Sequence, residues 1–223
     1  DGEKYCGTVG ATYDEESFSK ANSQLRGRLE LLLKGDINDL FVRPRNDYAK
    51  QLDERFPFDG INLDYTNALF DVKNTHEISI HLQALDGVLE RQAKGHKGRF
   101  VLLLTTRSEP TRLAAHFLAN LRLRLDENIA ATDGFADSFI QTFSCGDGDT
   151  LKNQRYEDFV SLGLVKFVAK MLSDHHYFIS ECDGVWLKRD TGKHHQPWLL
   201  HLAFLIQTAP APPRAAKLQR YGK

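Results

Sequence analysis

This sequence contains little cysteine and no recognisable metal-binding pattern. Its three cysteines are odd in number and widely spaced, and no CxxC motif occurs among the 223 residues. Such usage is typical of a reducing compartment and argues against structural zinc. Histidines cluster at residues 175–176 and 194–195, but without the spacing of metal ligands, so we predict no metal site. We therefore expect a cytoplasmic protein that is stabilised by its hydrophobic core.

Charge of one sign and long hydrophobic runs are also missing. The formal net charge is -1 at pH 7, so any contact with nucleic acid has to be a local patch. No stretch approaches the length of a membrane span and no signal peptide is visible, so we expect no membrane association. The chain begins with Asp1 rather than methionine, and we expect it to be a fragment of a longer protein.

What is present is an alternation of strand-like and helix-like segments. The strand-like segments are residues 5–13, 29–33, 58–64 and 100–106, and the helix-like segments between them are residues 14–27, 46–55 and 75–92. The last of these helices repeats Leu82, Leu85 and Leu89 along one face. This order predicts right-handed crossovers and a parallel sheet with helices on both faces.

The stretch from residue 58 to residue 67 is the first candidate for chemistry. A short apolar run there ends in Asp64 and Tyr65, followed by Asn67. It predicts a buried parallel strand whose carboxyl end opens into a loop. Ligands of open α/β sheets bind beyond such strand ends, so these three polar side chains are candidate site residues.

Beyond residue 107 the alternation changes. Helices are predicted at residues 111–125, 136–143 and 156–173, and two β-rich segments follow at residues 176–188 and 198–208. Their short connection favours an antiparallel pair. The fold class predicted is therefore α/β, with a doubly wound, mostly parallel sheet and a C-terminal antiparallel hairpin. Residues 1–208 are predicted to form one domain with a helical insertion at about 108–155, and residues 209–223 an extended or disordered basic tail.

This order of elements resembles the class I S-adenosylmethionine-dependent methyltransferase family, a Rossmann-like fold whose last two strands form an antiparallel hairpin. The resemblance covers residues 5–208. It implies S-adenosylmethionine as cofactor and a methyl group as the transferred unit. The family carries a glycine-rich loop under its cofactor, whereas no GxGxG motif occurs in this sequence.

The resemblance also assigns candidate cofactor residues. Thr12, Tyr13 and Asp14 match the end of the family's second strand, where the ribose hydroxyls are held and a ring can stack on adenine. Asp36 and Ile37 match the third-strand loop, where an aspartate accepts a hydrogen bond from the adenine amino group. The alternative for Asp14 is a helix cap and for Asp36 an ordinary turn aspartate.

For the reaction itself, the resemblance places Asp64, Tyr65 and Asn67 where amino-methylating members hold the target nitrogen. The prediction is therefore an S-adenosylmethionine-dependent methyltransferase-like domain with an unidentified acceptor, nucleic acid being one candidate. Positioning of the reacting groups would dominate its catalysis. The alternative is a non-catalytic Rossmann-like scaffold or sensor in a nucleic-acid-processing or defence assembly. The sequence predicts no oligomeric state.

Overall fold

The structure is a computed structural model, and it describes residues 9–12, 15–24, 31–34, 36–42, 47–65, 68–69, 79–110, 113, 115–131, 133–134, 137, 156–187 and 198–210. The strands in these ranges are β1 (Val9–Thr12), β2 (Leu31–Lys34), β3 (Gly60–Asp64), β4 (Arg99–Arg107), β5 (Tyr177–Leu187) and β6 (Leu199–Thr208). The helices are α1 (Glu15–Gln24), α2 (Ile37–Phe41), α3 (Asp47–Asp53), α4 (Ile80–Lys94), α5 (Ala115–Ala131) and α6 (Tyr156–Asp174).

These strands form two sheets. β1 and β2 pair in parallel, with Val9 opposite Leu31. The second sheet has the order β3-β4-β6-β5. In that sheet β3 and β4 are parallel, whereas β6 is antiparallel to both of its neighbours, β4 and β5.

The predicted fold class, a doubly wound and mostly parallel sheet, is wrong. Over the described ranges β1 and β2 form a separate two-stranded sheet, and one of the three pairings in the four-stranded sheet is parallel. The two closing strands do pair with each other, but β6 also inserts between β5 and β4. Periodicity predicts the type of an element, whereas a strand's partner is chosen by which long-range ladder satisfies its backbone and buries its apolar face. The predicted domain bounds stay a prediction.

The core lies between one face of the four-stranded sheet and the helices α4 and α6. Alternate residues of β4 and β6 point into it, and α4 and α6 face them with leucine and valine: Phe100, Leu102, Leu104, Leu200, Leu202, Phe204, Ile206, Leu82, Leu85, Val88, Leu89, Val160, Leu164, Val168 and Leu172. Full burial of one such side chain contributes about 1.5–3 kcal/mol. The predicted apolar face of α4 is thereby confirmed. None of the described helices is both long and apolar enough to cross a lipid bilayer.

The opposite face of this sheet is exposed. Val101 and Leu103 of β4 are 39% and 43% exposed, and Val185 of β5 is 56% exposed. An uninterrupted apolar run such as residues 100–106 predicts a strand buried on both faces, and this prediction is wrong, because β4 buries only one face. In β3 only Leu63 is buried, so this strand is parallel as predicted but is not a buried strand.

Candidate functional site

Asp36 follows the end of β2 and caps helix α2. Its backbone is extended (φ -68°, ψ 133°), and its Oδ1 atom accepts a hydrogen bond from the backbone N–H of Asn38 at 2.7 Å. The same oxygen accepts a second bond from Asn38 Nδ2 at 2.6 Å. Capping explains the short helix after an aspartate, because the side chain satisfies an N–H that has no partner within the helix. Asp36 itself is exposed.

Asn38 connects this carboxylate to a histidine. Asn38 is 7% exposed, and its Oδ1 atom lies 3.0 Å from His81 Nδ1. Because Nδ2 of Asn38 donates to Asp36, the atom that faces His81 is the carbonyl oxygen, which can only accept. His81 Nδ1 therefore carries a proton, and in the neutral imidazole the other nitrogen, Nε2, holds a lone pair.

His81 lies in the first turn of α4 beside Tyr65. The backbone N–H of His81 donates to Ser79 Oγ at 3.2 Å, so Ser79 caps this helix. Tyr65 is 4% exposed, its hydroxyl donates to the backbone oxygen of His81 at 3.3 Å, and the two rings are 5.2 Å apart between centroids. Asp36, Asn38, Tyr65 and His81 thus form one connected group, which we call the Asp36–His81 network.

Tyr65 stays a neutral phenol in this network. Burial disfavours the phenolate and raises the pKa of Tyr65 well above its ordinary value, and the negative charge of Asp36 adds to the effect. The two residues follow β2 and β3, which belong to different sheets.

Of the other predicted residues, one lies in a described strand and three do not. Thr12 ends β1, where its backbone is opposite Lys34. Tyr13, Asp14 and Asn67 lie outside the described residues.

Asp64 is adjacent in sequence to Tyr65, and Ile37 is adjacent to Asp36. Neither side chain takes part in the Asp36–His81 network, and their surroundings differ. Asp64 is exposed at the end of β3, and the alternation of a strand directs it to the face opposite Tyr65. Ile37 opens α2 and packs half-buried against the core. Of the predicted site residues, the structure brings Asp36 and Tyr65 together.

A second group of side chains lies at the end of β4, at the same edge of the sheet as Tyr65. Arg107 pairs with Glu109, and the two side chains are 23% and 12% exposed. Beside them the hydroxyl of Tyr156, the first residue of α6, donates to the backbone oxygen of Ser108 at 2.8 Å. Burial, followed by the charge of Glu109, raises the pKa of Tyr156 well above its ordinary value.

Tyr156 belongs to a cluster with both tryptophans of the chain. Ring centroids are 6.0 Å apart for Tyr156 and Trp198, and 6.5 Å apart for Trp186 with either partner. All three contacts are edge-to-face, and all three residues are partly exposed. Trp186 Nε1 also donates to Ser161 Oγ at 2.8 Å. We call these three residues the aromatic cluster.

Sequence reasoning missed Asn38, His81 and the aromatic cluster. Asn38 stands two residues after Asp36, a spacing at which aspartate commonly bonds its own backbone, and that signal was available. His81 gave no local signal, because it is distant in sequence from Asp36 and Asn38. The tryptophans lie beside the connection between β5 and β6, where aromatic residues are equally typical of strand packing.

The structure combines helices with a mixed four-stranded sheet, and polar and aromatic side chains gather near the carboxyl ends of its parallel strands β3 and β4. Residues 32–218 match the model of the PP_RS20740-like family, and the chain belongs to that family. No curated protein matches the chain.

One solved structure with a similar chain concerns "Conversion of a Disulfide Bond into a Thioacetal Group during Echinomycin Biosynthesis". The TM-score is 0.39 and the sequence identity 14%, and the match covers 91% of this chain. This chain spans 66% of the other, just under two thirds of its length. A likeness of this size supports no inference about function.

Proposed function

We propose that the chain binds S-adenosylmethionine beside the Asp36–His81 network and transfers its methyl group to an acceptor. The observation that carries this proposal is the convergence of Asp36, Asn38, Tyr65 and His81 from three separate segments of the chain. The three scattered cysteines support a cytoplasmic setting for this activity.

The residues present fit the adenosine part of this cofactor. Asp36 is exposed, and both of its hydrogen bonds to Asn38 use Oδ1, so Oδ2 is the oxygen that would accept from the adenine amino group. Ile37, half-buried next to it, offers an apolar wall. The chain contains no GxGxG loop, so we assign no residue to the methionine part.

When bound, S-adenosylmethionine supplies a methyl group on a positively charged sulfur. The protein's own contribution is to hold the acceptor and to remove its proton. His81 suits the second task, because the bond from Nδ1 to Asn38 leaves the lone pair on Nε2. We therefore propose His81 as the general base, with Asn38 and Asp36 fixing its tautomer. Asp64 was predicted to hold the target nitrogen, but it lies on the opposite face from Tyr65.

Calorimetry with two matched variants tests the cofactor assignment. In Asp36→Asn, asparagine caps α2 as well as aspartate does, and its oxygen stays on the Asn38 donors. Its NH₂ group then takes the place of Oδ2 and faces the adenine amino group. Both groups are hydrogen-bond donors, so no bond can form between them. Loss of a charged hydrogen bond predicts roughly 10- to 100-fold weaker binding of S-adenosylmethionine. Asp39→Asn, in the first turn of the same helix and also exposed, is the control and should bind normally.

Two outcomes would contradict the proposal. If the wild-type chain releases no heat with millimolar S-adenosylmethionine, the cofactor is wrong. If Asp36→Asn and Asp39→Asn bind equally well, Asp36 does not recognise the adenine.

The second candidate is a non-catalytic scaffold or sensor domain. It is favoured by two observations: Asp36 already serves as a helix cap, and the hydroxyl of Tyr65 is already bonded to the backbone of α4. Under this reading the network would stabilise the fold only. The same calorimetry separates the two functions, because a scaffold predicts no binding and an equal, small change of stability in both variants.

A further inference from the structure

The face of the four-stranded sheet that is turned away from α4 and α6, which we call the outer face, is apolar at its centre. The alternation of the strands and their register place Val101 and Leu103 of β4 there, beside Leu205 and Ala203 of β6. Val101 and Leu103 are both exposed, and Leu205 and Ala203 are half-buried. A contiguous exposed apolar surface of this kind marks a place where another surface docks.

The polar residues around this centre carry charges of both signs. Arg99 and Arg107 lie at the two ends of β4, and Asp64, Glu181 and Asp183 lie on the outer strands β3 and β5. A nucleic acid or an anionic lipid surface would select an excess of positive charge, which these residues do not provide. An apolar centre with a polar rim of mixed charge is typical of a contact with another protein.

A cavity of about 320 Å³ lies open on the outer face around Ala203. Its lining includes one row of residues that crosses all four strands, in which Asn62, Leu103, Ala203 and Asp183 stand directly beside one another. The outer face therefore carries a projecting leucine next to a recess above an alanine. A second copy of the same face offers the same two features.

A two-fold axis that runs parallel to the strands, between β4 and β6, makes this row complementary to itself. Sheets packed face to face lie about 10 Å apart and keep their strand directions within about 30° of each other. With this axis Leu103 of each copy lies over Ala203 of the other, and Asn62 lies over Asp183. A leucine then fills each recess, and an amide that can donate hydrogen bonds faces each carboxylate.

The outer face is also large enough for a stable contact. Strands β4, β5 and β6 have nine to eleven residues each. At standard strand dimensions the face measures about 20 Å by 30 Å, so two copies would bury roughly 1,200 Å² together. That area is at the lower end of stable protein–protein interfaces, which begin at about 1,200 Å².

We propose that two copies of this chain form a symmetric dimer through their outer faces. Sedimentation velocity between about 1 and 100 µM should show a transition from the mass of one chain to twice that mass, with a dissociation constant within this range, as suits a small interface. Leu103→Lys should weaken the dimer about 100-fold, because two lysine charges would then be buried over the alanines. Leu123→Lys, at an exposed leucine of α5, is the matched control and should dimerise like the wild type.

An exchange of two side chains tests the arrangement itself. Asn62→Asp sets two carboxylates against each other across the interface and should weaken the dimer about tenfold. Adding Asp183→Asn restores an amide opposite each carboxylate and should restore the affinity. Within one chain these two positions are three strands, or about 14 Å, apart, so the recovery reports contact between copies. Both residues are exposed, so these variants decide the question even if Leu103→Lys does not fold.

Three outcomes would overturn the dimer. They are a wild-type chain that stays monomeric at about 100 µM, which would give the outer face to a different partner, a folded Leu103→Lys variant that dimerises like the wild type, and a double variant that is no tighter than Asn62→Asp. The dimer does not depend on the proposed methyl transfer, and calorimetry with S-adenosylmethionine tests that function separately.

Discussion

Replacing Gln92 by methionine should destabilise the four-stranded sheet. The Gln92 side chain makes the hydrogen bonds to the backbone of Phe58 that a neighbouring strand would otherwise make. Gln92 is fully buried in α4, its Oε1 accepts from the backbone N–H of Phe58 at 3.0 Å, and its Nε2 donates to the backbone oxygen of Phe58. Phe58 leads into β3, which carries Tyr65 at its end. The substitution conserves volume but removes both bonds.

The size of the effect follows from the two backbone groups that lose their partners. A buried donor or acceptor left without a partner costs about 1–3 kcal/mol. Phe58 is partly exposed, so water can reach one of its groups, and the methionine gains some apolar burial. We expect a loss of roughly 2–3 kcal/mol in the free energy of unfolding, or roughly 5–10 °C in Tm for a chain of this size.

Urea unfolding followed by circular dichroism measures this loss. Gln51→Met is the control, because Gln51 is exposed in α3 and surface changes are usually within about 0.5 kcal/mol. A Gln92→Met variant as stable as Gln51→Met would refute the reasoning, since it would mean that the backbone of Phe58 does not depend on this side chain.

Two further predictions concern packing and alkaline pH. Gly95→Ala should cost about 1–3 kcal/mol in urea unfolding, because its new Cβ would lie 2.7 Å from Pro57 Cδ; Gly98→Ala, with no neighbour nearer than 3.9 Å, should cost less. Tyrosine in the unfolded chain has a pKa near 10, and below that pH Tyr65 gives stability no pH dependence. Above it the free energy of unfolding falls, because the phenol ionises in the unfolded chain but its raised pKa keeps it neutral in the folded one. Tyr65→Phe should therefore flatten the decline between about pH 9 and 11, and an unchanged slope would contradict this.

Most elements were predictable because their signals are local. The helix predicted at residues 156–173 is α6 (Tyr156–Asp174), and the strand predicted at residues 100–106 is β4 (Arg99–Arg107). In both, apolar periodicity and chain length decide the element. Helix α2 was missed because five residues after a Gly-Asp pair are typical of a loop; its formation depends on the Asp36 cap and on the burial of Leu40 and Phe41.

The pairing of the strands was not predictable from such local signals. The sequence of β6 alternates buried leucines, Phe204 and Ile206 with half-exposed residues, a pattern that fits a middle strand or an edge strand equally well. Its place beside β4 is decided by the nine-residue register from Arg99 opposite Gln207 to Arg107 opposite Leu199. That register also brings Trp198 next to Ser108, whose N–H donates to the Trp198 oxygen at 2.9 Å.

The pairing error and the missed site residues therefore have one cause. Each candidate group at the edge of the sheet is assembled across long sequence distances: Asn38 meets His81 through α2 and α4, and Tyr156 at the start of α6 meets Trp198 just before β6. Asp36 and Tyr65 were found from the sequence because each stands alone at the end of a strand. Their partners become functional candidates only once their contacts are known. A histidine gains a defined role when a second residue fixes which nitrogen carries the proton, and a tryptophan when a second residue fixes its ring. The proposal that Asn38 orients His81 as a general base therefore rests on geometry, and it requires that α2 packs against α4.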